Sequence, residues 1–201
     1  MEYIEYKDLL NADEFEKLYN ESFVENERVD FDNLFSGVFE GFRLVGQYES
    51  GKLVGMMHYV VTENFVHLNY FAVRNDCRGK GCGSSCLDWI KKTYPNKPIA
   101  VDVEEIDPTS ENNDYIIKRQ KFYMKNGFVH GDYVFDWRGV FFTFLHFGLL
   151  NTQDFLKHIT HIFPDIKGLR KIWYYIVSVL DVYVTKSWQL LFSFLLTITG
   201  V

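Results

Sequence analysis

The chain reads as an α/β protein with a mixed sheet covered by helices. Three observations predict this. Two β-prone runs, Phe42–Tyr48 and Lys52–Val61, meet across a short Glu49-Ser50-Gly51 turn, the pattern of an antiparallel hairpin. A third run, Phe65–Val73, passes through a glycine-rich turn into a helix of about Gly83 to Tyr94, and a further strand follows at Ile99–Val103. A strand, helix and strand in succession imply parallel pairing in the middle of the sheet, while the hairpin imposes antiparallel pairing beside it.

Each element has a local cause. Residues 1–6 alternate weakly and suit an edge strand. Residues 12–24 place Phe15, Leu18 and Tyr19 on one helical stripe, with acids in the first turn near the positive helix end. A further helix is expected through Phe31, Leu34, Phe35 and Val38, closed by Gly41. After Ile99–Val103, Asp107-Pro108-Thr109-Ser110 supplies a turn and a cap for a helix running to Asn126, with Gly127 as its left-handed terminator. Tyr133–Trp137 and Val140–Phe147 then read as two strands joined around Arg138-Gly139. Residues 151–163 form an amphipathic helix stopped by Pro164.

The last thirty residues differ. Residues 172–201 carry seven aromatic side chains but only Asp181 and Lys186 as charged groups. Those two charges divide the apolar run into pieces too short for separate membrane spans. The expectation is a helical extension over 148–201, packed on the domain, on a second copy in a homodimer, or associated with a membrane, behind a domain at 1–147.

Composition narrows the function classes. With 47% hydrophobic residues, 24% charged residues and 4 prolines among 201, the chain is not disordered or Pro-rich. Twenty-one basic against 27 acidic residues give a net charge of -6, which argues against a nucleic-acid partner but leaves room for a local anion site. Cys77, Cys82 and Cys86 crowd into ten residues and form no disulfide framework, as suits a reducing, cytoplasmic setting. The first residues lack the basic flank and apolar run of a signal peptide. No metal is expected: the three cysteines have the wrong spacing for zinc, and His158 and His161 have no further ligand beside them in sequence.

The chemistry concentrates in Leu68–Ser84. Gly79, Gly81 and Gly83 let successive amides converge without side-chain obstruction, and the first N–H groups of the following helix join them. Arg78 and Lys80 add positive charge, so the expected ligand bears phosphate. Lys80 followed by Gly81-Cys82 is not a P-loop ending, and the GxGxG spacing is not the GxGxxG of a dinucleotide fold.

Arg78-x-x-Gly81-x-Gly83, preceded by a strand ending Phe71-Ala72-Val73, resembles the Arg/Gln-x-x-Gly-x-Gly/Ala signature of the GCN5-related N-acetyltransferase (GNAT) superfamily. Phe122-Tyr123-x-x-x-Gly127-Phe128 is similar to the family's helix-to-strand junction downstream. The resemblance covers residues 1–147. It implies an acyl-CoA N-acyltransferase fold, a mostly antiparallel sheet splayed between Phe65–Val73 and Ile99–Val103. Acetyl-CoA would lie in the opening as co-substrate. Its diphosphate would meet backbone amides from Arg78, Gly79, Lys80, Gly81, Cys82, Gly83 and Ser84, and its pantetheine arm the backbone of Phe71, Ala72 and Val73.

The activity so implied is transfer of an acetyl group from acetyl-CoA directly to a primary amine of a small molecule or peptide. The match makes Tyr123 the proton donor to the departing sulfur, a role open to a phenol that is protonated at neutral pH. Glu104 and Glu105 follow directly on Ile99–Val103, where the acceptor should sit, and are the candidate bases. Strand alternation sets His67 and Asn69 opposite Leu68 and Tyr70, as candidate substrate-binding groups. A non-catalytic acyl-CoA sensor that keeps only the phosphate nest is the alternative.

Overall fold

In the computed structural model, residues 1–6, 12–35, 41–106, 113–163 and 165–171 are described. They form eight strands, β1 (Glu2–Glu5), β2 (Phe42–Glu49), β3 (Lys52–Val61), β4 (Val66–Val73), β5 (Ile99–Glu104), β6 (Val129–Trp137), β7 (Val140–Phe147) and β8 (Lys167–Lys171). Four helices accompany them: α1 (Ala12–Ser22), α2 (Cys82–Thr93), α3 (Asn113–Lys125) and α4 (Thr152–Ile162). The strands join in one sheet in the order β1-β2-β3-β4-β5-β7-β6-β8. Among the described strands the parallel pairing is that of β4 with β5, as expected of a crossover through α2.

That parallel pair is short. Val66, His67 and Leu68 pair with Ile99, Ala100 and Val101, and the two strands then part. Beyond the fork β4 stays hydrogen-bonded to β3 as far as Val73, and β5 stays paired with β7 as far as Glu104. The facing edges of Asn69–Val73 and Asp102–Glu104 therefore carry backbone groups with no neighbouring strand. This is the splay that the family resemblance implied.

Three apolar clusters hold the sheet between its helices. On one face Leu68, Cys86, Leu87, Ile90, Val101, Val103 and Tyr123 pack together, uniting α2 and α3 with the central strands. On the other, α1 sets Phe15, Leu18 and Tyr19 against Leu44, Met56, Tyr70 and Ala72. Farther along that face α4 inserts Phe155 and Ile159 among Phe65, Ala100, Phe135 and Phe144. The stripe of Phe15, Leu18 and Tyr19 read from the sequence is the buried one of α1.

Four features depart from expectation. Leu68 and Tyr70 do not share a face: the β3–β4 register shifts at His58/Tyr59, so that Tyr59 pairs with Leu68 and His58 with Tyr70. Asn69 is the additional residue of this bulge, and a bulge reverses the alternation beyond it. Second, β6 begins at Val129 rather than Tyr133, again across an irregular register. Third, Phe31–Phe35 is a short 3₁₀ helix, and the expected continuation to Val38 lies outside the described residues.

Fourth, the boundary expected after residue 147 falls inside a compact unit that runs from Met1 to Lys171. Helix α4 covers the sheet, and β8 pairs with β6 through Tyr133–Lys171, Val134–Arg170 and Asp136–Lys167. Strand β8 was not expected, because Lys167-Gly168-Leu169-Arg170-Lys171 is exposed along its whole length and has no hydrophobic alternation to read. Its lysines make it a poor template for further strand pairing. The helical extension expected over 172–201, with its packing, homodimer and membrane alternatives, lies outside the described residues. Among the described residues no helix is long and apolar enough to cross a membrane.

Candidate active site

The splay opens a cleft of about 290 Å³ between β4, β5, the glycine turn and α3. Its walls include Asn69, Phe71, Ala72, Val73, Arg78, Gly79, Gly83, Val101, Asp102, Arg119, Phe122 and Tyr123. One end is therefore the turn before α2 and the other the fork between the strands.

The turn has the backbone its glycines predict. Gly79 and Gly81 take φ of +74° and +87°, a region in which a β-carbon is strained. Gly81 is the N-cap of α2, and no side chain caps it. Ser85 N–H donates to the Gly81 carbonyl at 2.9 Å, so the N–H groups of Cys82, Gly83 and Ser84 precede the helical ladder and suit an anion. Arg78 lines the cleft and turns its Nε toward the end of β4, donating to the Val73 carbonyl at 3.0 Å. Lys80 is exposed, and Cys82 is buried, with its carbonyl accepting from Gln47 Nε2 at 3.1 Å.

Gly83 has a second, steric reason. A β-carbon there would stand 3.0 Å from Phe122 Cζ and 3.7 Å from Phe71 Cζ, two rings of the cleft wall. Gly83→Val is expected to force Phe122 aside and narrow the cleft, weakening binding of the CoA that the resemblance implies at least tenfold with the fold retained. Isothermal calorimetry with CoA, beside a circular dichroism melt, checks this.

Tyr123 stands at the inner part of the cleft. It is 4% exposed and held edge-on by Phe122 and Phe128, with ring centroids 5.2 and 5.5 Å away. Burial pushes its phenol well above 10, an effect that the nearby Arg119 opposes. The side chain is thus a protonated hydroxyl throughout the neutral range.

The acids lie elsewhere than expected. Glu104 is buried and its Oε2 accepts from Arg119 Nη1, while its carbonyl accepts from Gln120 Nε2 at 2.8 Å. Arg119 also donates to the Tyr115 hydroxyl at 2.8 Å. Glu105 lines a neighbouring cleft of about 470 Å³ together with Glu27, Glu104, Tyr115 and Arg119. The structure thus places Tyr123 and the two glutamates in adjoining clefts that share Arg119, rather than around one point. Glu27, which sequence reasoning missed, belongs to this acidic wall. Burial raises its carboxyl above the ordinary range, and the charge of Glu104 adds to that.

His67 does not reach the cleft. It is fully buried below the fork, its Nε2 donating to Asp102 Oδ2 at 2.8 Å and its Nδ1 lying 3.2 Å from His158 Nε2 on α4. Asn69, by contrast, lines the cleft, carried there by the bulge. Asp102, on β5, reaches it as well. Among the described residues no group of three or more His, Cys, Asp or Glu side chains could hold a metal ion.

Two histidines, the buried His58 and the half-buried His158, make the fold sensitive to acid. Burial lowers His58 to about 4, and burial with the charges of His67 and His161 lowers His158 to about 3. The unfolded imidazoles take up protons near 6.5, so between that pH and about 4 the unfolded chain binds more protons and stability falls with pH. Glu27 works in the opposite sense. The expected loss is on the order of 1 kcal/mol per pH unit for the fully buried His58. Urea midpoints at pH 7 and pH 5 measure it, and a higher midpoint at pH 5 would contradict it.

Residues 40–130 match the family model described as an acetyltransferase (GNAT) domain. A curated Bacillus subtilis (strain 168) protein named as an acetyltransferase, YjbC, is 34% identical over 68 residues, 34% of this chain. The match spans 33% of that relative's length. Among solved structures, one named as an acetyltransferase of the GNAT family from Bacteroides thetaiotaomicron superposes with a TM-score of 0.64 at 21% identity, covering 82% of this chain and 98% of the other. A Bacillus subtilis acetyltransferase in complex with CoA gives a TM-score of 0.54 at 17% identity, covering 74% and 98%.

Proposed function

We propose that this chain, which belongs to the GNAT superfamily of acetyltransferases, transfers an acetyl group from acetyl-CoA to a primary amine of a small molecule or peptide. The observation that carries the reading is the fork: a strand edge without a neighbour leads from uncapped helix amides to a buried tyrosine. An elongated ligand with a diphosphate at one end, amides along its arm and a thioester at the other matches these groups in order. A neighbour of the same fold was solved with CoA, which supports the assignment.

The residues divide the work. The amides of Cys82, Gly83 and Ser84 bind diphosphate, with Gly79 and Gly81 shaping the turn and Arg78 and Lys80 adding charge. The backbone of Phe71 and Val73, on the edge of β4 turned away from β3, pairs with the amides of the pantetheine arm beside Ala72, in the manner of an added strand. Tyr123 donates its hydroxyl proton to the departing thiolate. Glu104 holds Arg119 in place, and Glu105 with Glu27 makes the adjoining cleft acidic, which favours entry of a cationic amine and takes up the proton it releases.

The test is a thiol-release assay with acetyl-CoA over a broad amine panel, beside calorimetry with CoA. Binding with amine-dependent thiol release supports the enzyme. Binding without release for any amine makes the chain a CoA sensor, and no binding removes both readings.

A further inference from the structure

We infer that Asp102 and Asn69 form the acceptor's ammonium site, and that the acceptor is a compact primary amine with a short alkyl stem. This deepens the acyl-transfer reading and rests on it for the place of the amine. The two residues stand where the cleft of Tyr123 meets a small recess of about 60 Å³, and they line both.

Each carries a buried oxygen that lacks a hydrogen-bond partner among the described residues: Asp102 Oδ1 and Asn69 Oδ1. Orphaned buried acceptors are costly, and two at one junction call for a donor supplied from outside the chain.

The neighbours fix which oxygens remain. The Leu34 carbonyl lies 3.1 Å from His58 Nε2 and can only accept, so His58 carries its proton on Nε2. Burial keeps that imidazole neutral, which leaves its Nδ1 an acceptor. Asn69 Nδ2, 3.5 Å from that Nδ1, is therefore the amide end turned toward His58, and Oδ1 is the end left over. On the other strand His67 Nε2 occupies Asp102 Oδ2, so Oδ1 is the oxygen left over there too. His67 acts as a positioning residue, holding Asp102 by one oxygen so that the other stays available.

The recess sets the rest of the ligand. Its walls include Phe135, Trp137 and Phe142, together with Glu27 and Arg119. A cavity of about 150 Å³ holds a benzene ring, so a recess of about 60 Å³ favours a stem of a few aliphatic carbons over a ring. Aromatic faces beside a carboxylate favour a cation over a neutral isostere of the same shape.

The probes are n-propylammonium and propan-1-ol, which share a short stem and differ in the charged head. Ligand-observed NMR titration of the full chain at pH 7 is expected to show saturable millimolar binding of the ammonium and at least tenfold weaker binding of the alcohol. Asp102→Asn is expected to weaken the ammonium at least tenfold and leave the alcohol unchanged. The wild-type comparison of the two probes requires no variant, so a D102N chain that fails to fold leaves the test intact. Equal binding of the two probes, no saturation by the ammonium, or an unaffected folded D102N overturns the inference. Thiol release reads the underlying function separately. Ammonium binding without release overturns acetyl transfer and keeps the site, whereas release with amines that do not need Asp102 keeps the transfer and removes the site.

Discussion

Tyr123→Phe is expected to lower amine-dependent thiol release at least a hundredfold while CoA binds within twofold of wild type. General acid catalysis by a placed side chain contributes on the order of 10² to 10⁴ in rate, and the substitution removes the proton while keeping the ring. The ring is needed: it fills the space between Phe122 and Phe128 and belongs to the core that joins α2 and α3 to the sheet. Phenylalanine preserves those contacts, so a melting temperature close to wild type should accompany the loss. Because burial raises the phenol further above neutrality, the wild-type rate should show no alkaline fall from this group up to pH 9. Unchanged turnover in the variant would reduce Tyr123 to a packing residue and return the search for the proton donor to Tyr115, which also lines the cleft.

How much of this was legible in the sequence depends on whether a feature is local. The glycine turn was readable in full, because φ near +80° at Gly79 and Gly81 and an uncapped helix start are consequences of a few consecutive residues. The hairpin and the stripe of α1 were readable for the same reason. The site beyond the turn was not. Asn69 faces the cleft because of a bulge set by pairing with β3, and strict alternation assigned the faces of Leu68 and Tyr70 incorrectly. Glu104 looks like a solvated acid until α3 brings Arg119 to it across fifteen residues. His67 looks like a substrate contact until α4 returns His158 from ninety-one residues away. Asp102 gains its importance from the divergence of β4 and β5, which no single strand encodes.

A chain cut after Phe147 is expected not to give a cooperative unfolding transition, although the family resemblance ends there. The cut removes α4, whose Phe155 and Ile159 are fully buried and whose Leu156 and Ile162 are nearly so. Phe155 packs on Phe144 with ring centroids 4.7 Å apart, on Phe65 at 5.6 Å and edge-on against His67 at 5.2 Å. His67 lies on β4, Phe65 directly before it and Phe144 on β7 beside β5, so losing α4 would expose the underside of the fork to water. In the full chain Phe155→Ala alone should cost about 3–5 kcal/mol, a large share of the roughly 5–15 kcal/mol that stabilises a domain. Removing the whole helix deletes several such side chains and strips His158 from His67. Thermal melts of the full chain, its Phe155→Ala variant and residues 1–147 order these effects. A cooperative melt of the shortest chain near the full-length temperature would show that the sheet holds without α4. The resemblance identifies the segment proposed to bind CoA, whereas burial identifies the segment that must be present for that surface to exist.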